Sequence, residues 1–480
     1  MSFRTLSKKY IGDKAFYRKV MAIALPIMAQ SGITNFVSLL DNIMVGRLGT
    51  EAMAGVSIIN QFFFVFTLLM FGAVSAAGIF TAQFFGEGNA EGVRHTFRFK
   101  IIICVLAAVV FGAVFYIAKE PLISLFLHDG SADGDLALTM SYAKDYLFVT
   151  LFGFVPFALA QVYTSTMRET GETVLPMLAS LAAVATNFVL NFVLIFGVGD
   201  IIPALGVVGA AIATLASRFV ELAVLAIWGH THREKCPYLV GAYRTLRVPG
   251  ALAKQIVVRG LPLMVNEFFY SMAVTLRNQS YSTRGLDVVA AQNISTTIYS
   301  VFSIVYLAMG SAIAIMMGHL LGAGKIEEAK DKDRKLIAFS VFCAVVTGTL
   351  VIAASPLIPK IYNVSDDVRS LASFMMIVCA VIMPIDAFAN GSYFTLRSGG
   401  LVAITLLSDC VFMWTVVVPV TFLTSHFTPL SIYALFIIGQ GCDFLKAMLG
   451  YILLKKCRWA RRLTGDEKLT EIENECLPNE

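Results

Sequence analysis

The sequence predicts an all-α polytopic membrane protein: twelve transmembrane helices as two six-helix lobes related by a parallel internal repeat. Three observations predict it. Of 480 residues, 57% are hydrophobic and only 14% charged, where a soluble domain would carry roughly a quarter charged. Apolar runs of about 20 residues, each able to cross a ~30 Å hydrocarbon core, recur along the whole chain. The first half of the sequence is also echoed by the second.

The runs fall near 20–43, 53–84, 99–118, 137–167, 173–198, 205–229, 255–282, 288–321, 336–361, 368–396, 400–424 and 430–454. The chain then divides into an N-terminal segment (1–19), an N-lobe (20–229), a linker (230–254), a C-lobe (255–454) and a tail (455–480). The opening "MSFRTLSKKYIGDKAFYRK" is basic and polar for too long to read as a cleavable signal peptide. Connections alternate in basicity. Arg94, Arg98 and Lys100 follow the second run; Arg233, Lys235, Arg244, Arg247 and Lys254 follow the sixth; Lys325, Lys330, Lys332, Arg334 and Lys335 follow the eighth. The chain closes with Lys455, Lys456, Arg458, Arg461 and Arg462, whereas "GVGDIIPALG", "TSHFTPLS" and "HDGSADGDLA" are poor in Lys and Arg. The positive-inside bias places both termini in the cytoplasm.

The repeat rests on punctuation. Aligning "ALPIMAQSG" with "GLPLMVNEF" pairs Pro26 with Pro262, and the same offset pairs Gly49 with Gly285 and Ser75 with Ser311. It ends by laying "GEGNAE" on "GAGKIE"; a slightly shorter offset then lays "MRETG" on "LRSGG" through Arg168 and Arg397. Parallel repeats about an axis along the membrane normal are a transporter architecture. Pro26, Pro156, Pro176, Pro262, Pro384 and Pro419 fall inside runs, where each removes a backbone bond and favours a bend.

Several classes are excluded. The net charge of +5 follows from topology and gives no nucleic-acid surface. No GxxxxGK[ST] phosphate loop occurs, no intramembrane His/Cys set has zinc spacing, and no nucleophile–base pair suggests an enzyme. The eight cysteines, Cys476 included, sit in apolar or basic stretches and show no disulfide framework.

The segments "ALPIMAQSG", "LLDNIMVGRLGTEAMAGV", "GEGNAEGVRH", "MRETGETVLP", "NFVLNFVLIFG", "GVVGAAIATLASR" and "FTLRSGG" resemble the multidrug and toxic compound extrusion (MATE) transporters, in order, across nearly the whole chain. The resemblance implies two six-helix lobes around a central cavity and export of organic compounds against inward Na⁺ or H⁺. No other cofactor is expected. The implied partners are small organic substrates and the bilayer, with a monomer as the functional unit. Short loops and the lack of targeting extensions suit a prokaryotic inner membrane.

Intramembrane ionisable residues are functional candidates because burying a charge there costs ~2.5–3.5 kcal/mol on insertion scales. Asp41 ends an uncharged run six residues before Arg47, roughly 9 Å deep at 1.5 Å per residue. Asn187 and Asn191 share a helix face, and Thr214 reaches a comparable depth from the next span. One carboxylate, two amide oxygens and a hydroxyl suit a small hard cation or a proton relay. In MATE proteins the matching N-lobe positions form a cation site. The DinF-like branch has an aspartate where this chain has Asn191, so that branch's ion preference does not carry over.

In the C-lobe, Asp386 lies eleven residues before Arg397, roughly 16 Å deep, and its setting matches the NorM-like branch, where this aspartate is tied to cation coupling. Glu267 resembles that branch's seventh-helix glutamate but stands nearer its proline. Two carboxylates in one low-dielectric cavity tend to share a proton or cation. Arg277, the repeat partner of Asp41, is expected to snorkel outward or pair with Asp386 or Glu267, and Asp409 is a further substrate or charge-partner candidate. Arg218/Glu221 and Asp443/Lys446 read as self-neutralised i, i+3 pairs. The expected activity is antiport of organic, chiefly cationic compounds. The alternative is flipping of a lipid-linked or amphipathic precursor, which would call for several cations in the cavity; an uncoupled receptor or channel fits the repeat less well.

Overall fold

The computed structural model describes residues 9–127 and 135–464. Cys476, residues 128–134 of the acidic 128–137 connection and the end of the tail lie outside them. The described residues are helical, apart from connections and one isolated bridge between Val198 and Ile202. The helices are α1 (Lys14–Gly46), α2 (Thr50–Glu87), α3 (Ala90–Ile117), the short α4 (Lys119–Ser124), α5 (Leu136–Leu151), α6 (Phe154–Glu169), α7 (Val174–Phe196) and α8 (Gly206–Thr231). The second half contributes α9 (Gly250–Ser282), α10 (Leu286–Gly322), α11 (Ile326–Ala354), α12 (Asp366–Ser398), α13 (Val402–Phe427) and α14 (Ile432–Lys456).

Ten of these helices are long and apolar enough to cross a membrane, or eleven spans with α5 and α6 taken as one bent pair. The expected twelfth, α9, has the length, at 33 residues, but not the apolarity. Lys254, Arg259, Asn266, Glu267, Arg277 and Asn278 all lie along it.

The duplication is written into the backbone. Helix lengths match between halves: 33 and 33 residues for α1 and α9, 38 and 37 for α2 and α10, 28 and 29 for α3 and α11. The glycines paired in the sequence share conformations that a Cβ would oppose. Gly49 and Gly285 both have φ +120°, Gly88 and Gly324 have +79° and +74°, and Gly171 and Gly400 have +87° and +78°. The symmetry fails where the prolines act. Pro156, three residues past Gly153, accompanies a 50° bend between α5 and α6, whereas α12 carries Pro384 and continues unbroken. Ahead of Pro419, α13 winds wider in two i→i+5 stretches, 407–411 and 413–417. Proline cannot donate to the preceding turn, and a widened turn relieves its ring against that carbonyl.

The chain clusters into two compact units. One comprises 29–81 and 90–260; the other comprises the chain up to Met28, residues 82–89 and the chain from Leu261. The boundaries thus differ from lobes split at the linker, because the start of α1 and the end of α2 group with the second half. In the first unit, Phe66 stacks on Phe154 at 4.5 Å and Phe62 on Phe115 at 5.2 Å, so much of the "NQFFFVF" run is packing. Basic residues expected to mark a loop are instead built into it. Arg98 on α3 donates to the carbonyls of Ala242 (2.8 Å) and Gly241 (2.9 Å), and Arg94 to that of Tyr238 (3.2 Å). Lys100, fully buried, pairs with Glu169 and donates to Ser165 and Thr166.

In the second unit, α1's start, α10, α11 and the segment after α14 share a core that includes Val20, Met309, Leu336 and Trp459. The segment after α14 is docked there rather than a free tail. Leu463 N–H donates to Gln83 at 2.7 Å and Arg461 to the Gly399 carbonyl at 2.8 Å. The seven described cysteines are free thiols.

Candidate functional site

In the first unit, α1, α7 and α8 bring Asp41, Asn187, Asn191 and Thr214 together as the sequence predicted. The Asn191 side-chain amide donates to Asp41 Oδ1 at 2.6 Å. A carboxylate attracts N–H and repels C=O. In the orientation that satisfies this, the Asn187 nitrogen lies 2.8 Å from Asp41 Oδ1 and 3.2 Å from Oδ2. Asn187 and Asn191 are buried, and the Asn191 carbonyl oxygen finds no hydrogen-bond partner among the described residues. A buried acceptor left unpaired beside a carboxylate is what an incoming cation or proton carrier would use. Tyr146 hydrogen-bonds Thr214.

Asp41, Asn191, Thr214 and Tyr146 line a cavity of about 290 Å³ with Asn60, Phe63, Phe64 and Arg218. That lies at the lower edge of the range for small-molecule pockets, ≈ 300 Å³ upward. Arg218 is a charged neighbour of Asp41 and packs over the rings of Phe157 (4.9 Å) and Phe63 (5.7 Å). It pairs with Glu221 at 3.4 Å as the sequence suggested. That pair is not isolated, however: Glu221 also accepts from Ser180 (3.0 Å), Ser180 from Gln30 (2.6 Å), and Gln30 from Arg168.

In the second unit the four candidates each have their own partners. Asp386 on α12 accepts from the Tyr299 hydroxyl at 2.7 Å, and Tyr299 meets the Tyr306 hydroxyl at 2.6 Å. Its charged neighbours are Asp443, Lys446 and Arg277. Glu267 has Arg397 foremost among its own, with Asp409 and Lys446. The two carboxylates thus have different charged neighbours, with Lys446 common to both.

Two further expectations are corrected. Arg277 neither points outward nor pairs with Asp386 or Glu267; it pairs with Asp443 at 3.7 Å and donates to Gln440 at 3.4 Å. Asp443 and Lys446 do not neutralise each other, because Lys446 pairs with Asp409, which also accepts from Asn266 at 3.1 Å. The reason is geometric. α14 sends Asp443 toward α9 and Lys446 toward α13, and a partner on another helix approaches closer than one a turn away.

Sequence reasoning missed Tyr146, Tyr299 and Asn266, and read Arg218 and Lys446 only as members of local pairs. A signal existed. Carrying the repeat onto the last helix of each half, with the offset shortened once more to 225, lays Arg218-x-x-Glu221 on Asp443-x-x-Lys446, a charge-inverted copy. The inversion extends to their partners: Asp41 beside Arg218 becomes Arg277 beside Asp443. Likewise Gln30–Ser180–Glu221 becomes Asn266–Asp409–Lys446, with Gln30/Asn266 and Ser180/Asp409 at the repeat offsets already found. No group of three or more metal-ligating side chains occurs among the described residues.

A duplicated helical membrane unit, with carboxylates and amides buried inside each copy, defines a multi-pass membrane transporter. The chain belongs to the MatE family, whose profile matches residues 26–193 and 262–423. It is 24% identical over 451 residues to a "probable multidrug resistance protein NorM" of Thermotoga maritima, covering 93% of each chain. It is 23% identical over 440 residues to a "probable multidrug resistance protein YoeA" of Bacillus subtilis, covering 90% of this chain and 92% of that one. Its fold matches a Vibrio cholerae MATE transporter with TM-score 0.82 at 17% identity, over 93% of this chain and 98% of that one. It also matches an outward-facing multidrug resistance MATE family transporter with TM-score 0.81 at 20% identity, over 95% and 98%.

Proposed function

We propose that this protein is a secondary-active multidrug exporter that moves organic, chiefly cationic compounds outward in exchange for inward Na⁺ or H⁺. The observation that carries the reading is the Asp41 cavity, where a carboxylate clasped by two amides faces an aromatic wall beside an unpaired buried carbonyl. The names of the relatives agree with it. The asparagine N–H groups solvate the Asp41 carboxylate. A cation or proton arriving there removes the need for those donors, and the amides can turn their oxygens inward. Asp41, Asn187, Asn191 and Thr214 then act as the coupling set of one unit, and Asp386 with Glu267 as that of the other.

The energetics suffice. One charge moving down 100 mV yields ~2.3 kcal/mol, enough for roughly a 50-fold gradient. The cycle would run in a prokaryotic inner membrane, with both termini cytoplasmic and a monomer as the unit. Flipping of an anionic precursor is less well served. Arg218, Arg277 and Lys446 are each matched to a carboxylate, leaving little cationic surface for an anionic headgroup.

The test is ethidium efflux in everted vesicles, with a Na⁺ pulse and a pH jump applied separately to wild type, Asp41→Asn and Asp386→Asn. We expect one gradient to drive efflux and Asp41→Asn to abolish that response while the protein still inserts and purifies normally. Wild-type vesicles that move no ethidium under either gradient would refute export of this cargo class.

A further inference from the structure

Lys446 sits in a site built for a cation. Its ammonium pairs with Asp409 and lies 4.9 Å over the Tyr270 ring. A carboxylate plus an aromatic face is the chemistry that recognises organic cations. The site has a third element that Lys446 leaves unused. Asn266, 1% exposed, donates to Asp409, while its own carbonyl oxygen has no hydrogen-bond partner among the described residues. Asp409 itself projects from the first widened stretch of α13, and such irregular turns frequently mark functional positions. The repeat supplies a contrast. In the first unit the position of Asp409 is the neutral Ser180 and the charge on the last helix is Glu221, so no cation box forms there.

We propose that Asn266, Tyr270 and Asp409 receive the cationic centre of the exported compound, and that Lys446 is a tethered occupant which the compound displaces. The proposal rests on the export reading above. It gives the empty transporter an internal substitute for cargo, so Asp409 is never left buried and bare. A lysine suits the task, being a compact charge on a flexible four-carbon stem that can withdraw, unlike the rigid fork of arginine.

The experiment measures binding of tetraphenylphosphonium, a permanent cation with no acidic group, to the purified full chain by equilibrium dialysis. If Lys446 fills the site about nine-tenths of the time, Lys446→Met tightens the apparent Kd about tenfold, since affinity scales with the vacant fraction. Adding Asp409→Asn or Tyr270→Leu to that variant should reverse the gain. Should Lys446→Met not fold, Lys446→Arg keeps the charge but grips Asp409 through two bonds, and weaker binding than wild type is expected. Wild-type affinity in both Lys446 variants, or a gain that survives Asp409→Asn, overturns the proposal and leaves export standing. If wild type exports ethidium yet binds no tetraphenylphosphonium, the proposal alone falls; if it neither binds nor exports an organic cation, both readings fall.

Discussion

At Arg277 the local chemistry is unforgiving. Its guanidinium and the Asp443 carboxylate have side chains only 16% and 14% exposed. Ion pairs removed from water balance a large desolvation cost against mutual attraction, so losing one partner strands the other. Arg277→Leu should therefore destabilise the protein by about 3–5 kcal/mol, as should Asp443→Leu. The double substitution should recover most of that loss, because no charge is then left unpaired. Thermal unfolding in detergent of the two single variants and the double one checks this; a double variant as unstable as the sum of the singles would mean the residues do not act as a pair. The same residue shows what was legible. Its repeat kinship to Asp41 is visible in sequence, whereas its partner is not. Asp443 has Lys446 one turn away, and only the packing of α14 against α9 shows that each residue looks past the other.

Among the elements, the entries to α2 and α10 carry the clearest shared constraint. Gly49 and Gly285 precede these helices with φ +120°, where an L side chain collides with its own backbone. Gly49→Ala and Gly285→Ala should each cost on the order of 1–3 kcal/mol. Gly250, which opens α9 with open space around its Cα and no positive φ, is the control. Gly250→Ala should be neutral or stabilising by about 0.4–1 kcal/mol. Comparable losses at Gly49 and Gly285, with none at Gly250, are expected in thermal unfolding; tolerance at either of the first two would mean the helix entry is not held as described. Helix number, the repeat and these turns were legible because apolar length and glycine spacing are local properties. The bend at Gly153–Pro156, the unbroken passage over Pro384 and the widening of α13 were not. A proline says where a backbone bond is lost, and tertiary packing decides whether the helix bends, widens or continues.

For the whole molecule, duplication has kept the scaffold and inverted much of its charge. Asp41 with Arg218 in one unit answers to Arg277 with Asp443 in the other, and Glu221 answers to Lys446. This asymmetry argues against two equivalent ion sites. The first holds a carboxylate clasped by amides at the wall of a cavity. In the second, the position of Asp41 is already filled by a cation, and Asp386 is a carboxylate held by a hydroxyl, that of Tyr299 on α10. Each set is assembled from helices of its own unit, so each should titrate by its own local interactions. This predicts how ion release responds to cargo. Tetraphenylphosphonium added to lightly buffered detergent-solubilised protein should release H⁺, read with a pH dye, or Na⁺, read with an ion-selective electrode. Asp41→Asn and Asp386→Asn should each lower the number of ions released per protein without abolishing it, and the double variant should release none. Complete loss in either single variant would show one coupled site in place of two. Loss in Asp41→Asn with no change in Asp386→Asn would confine coupling to the first unit and leave the carboxylates of the second to the cargo.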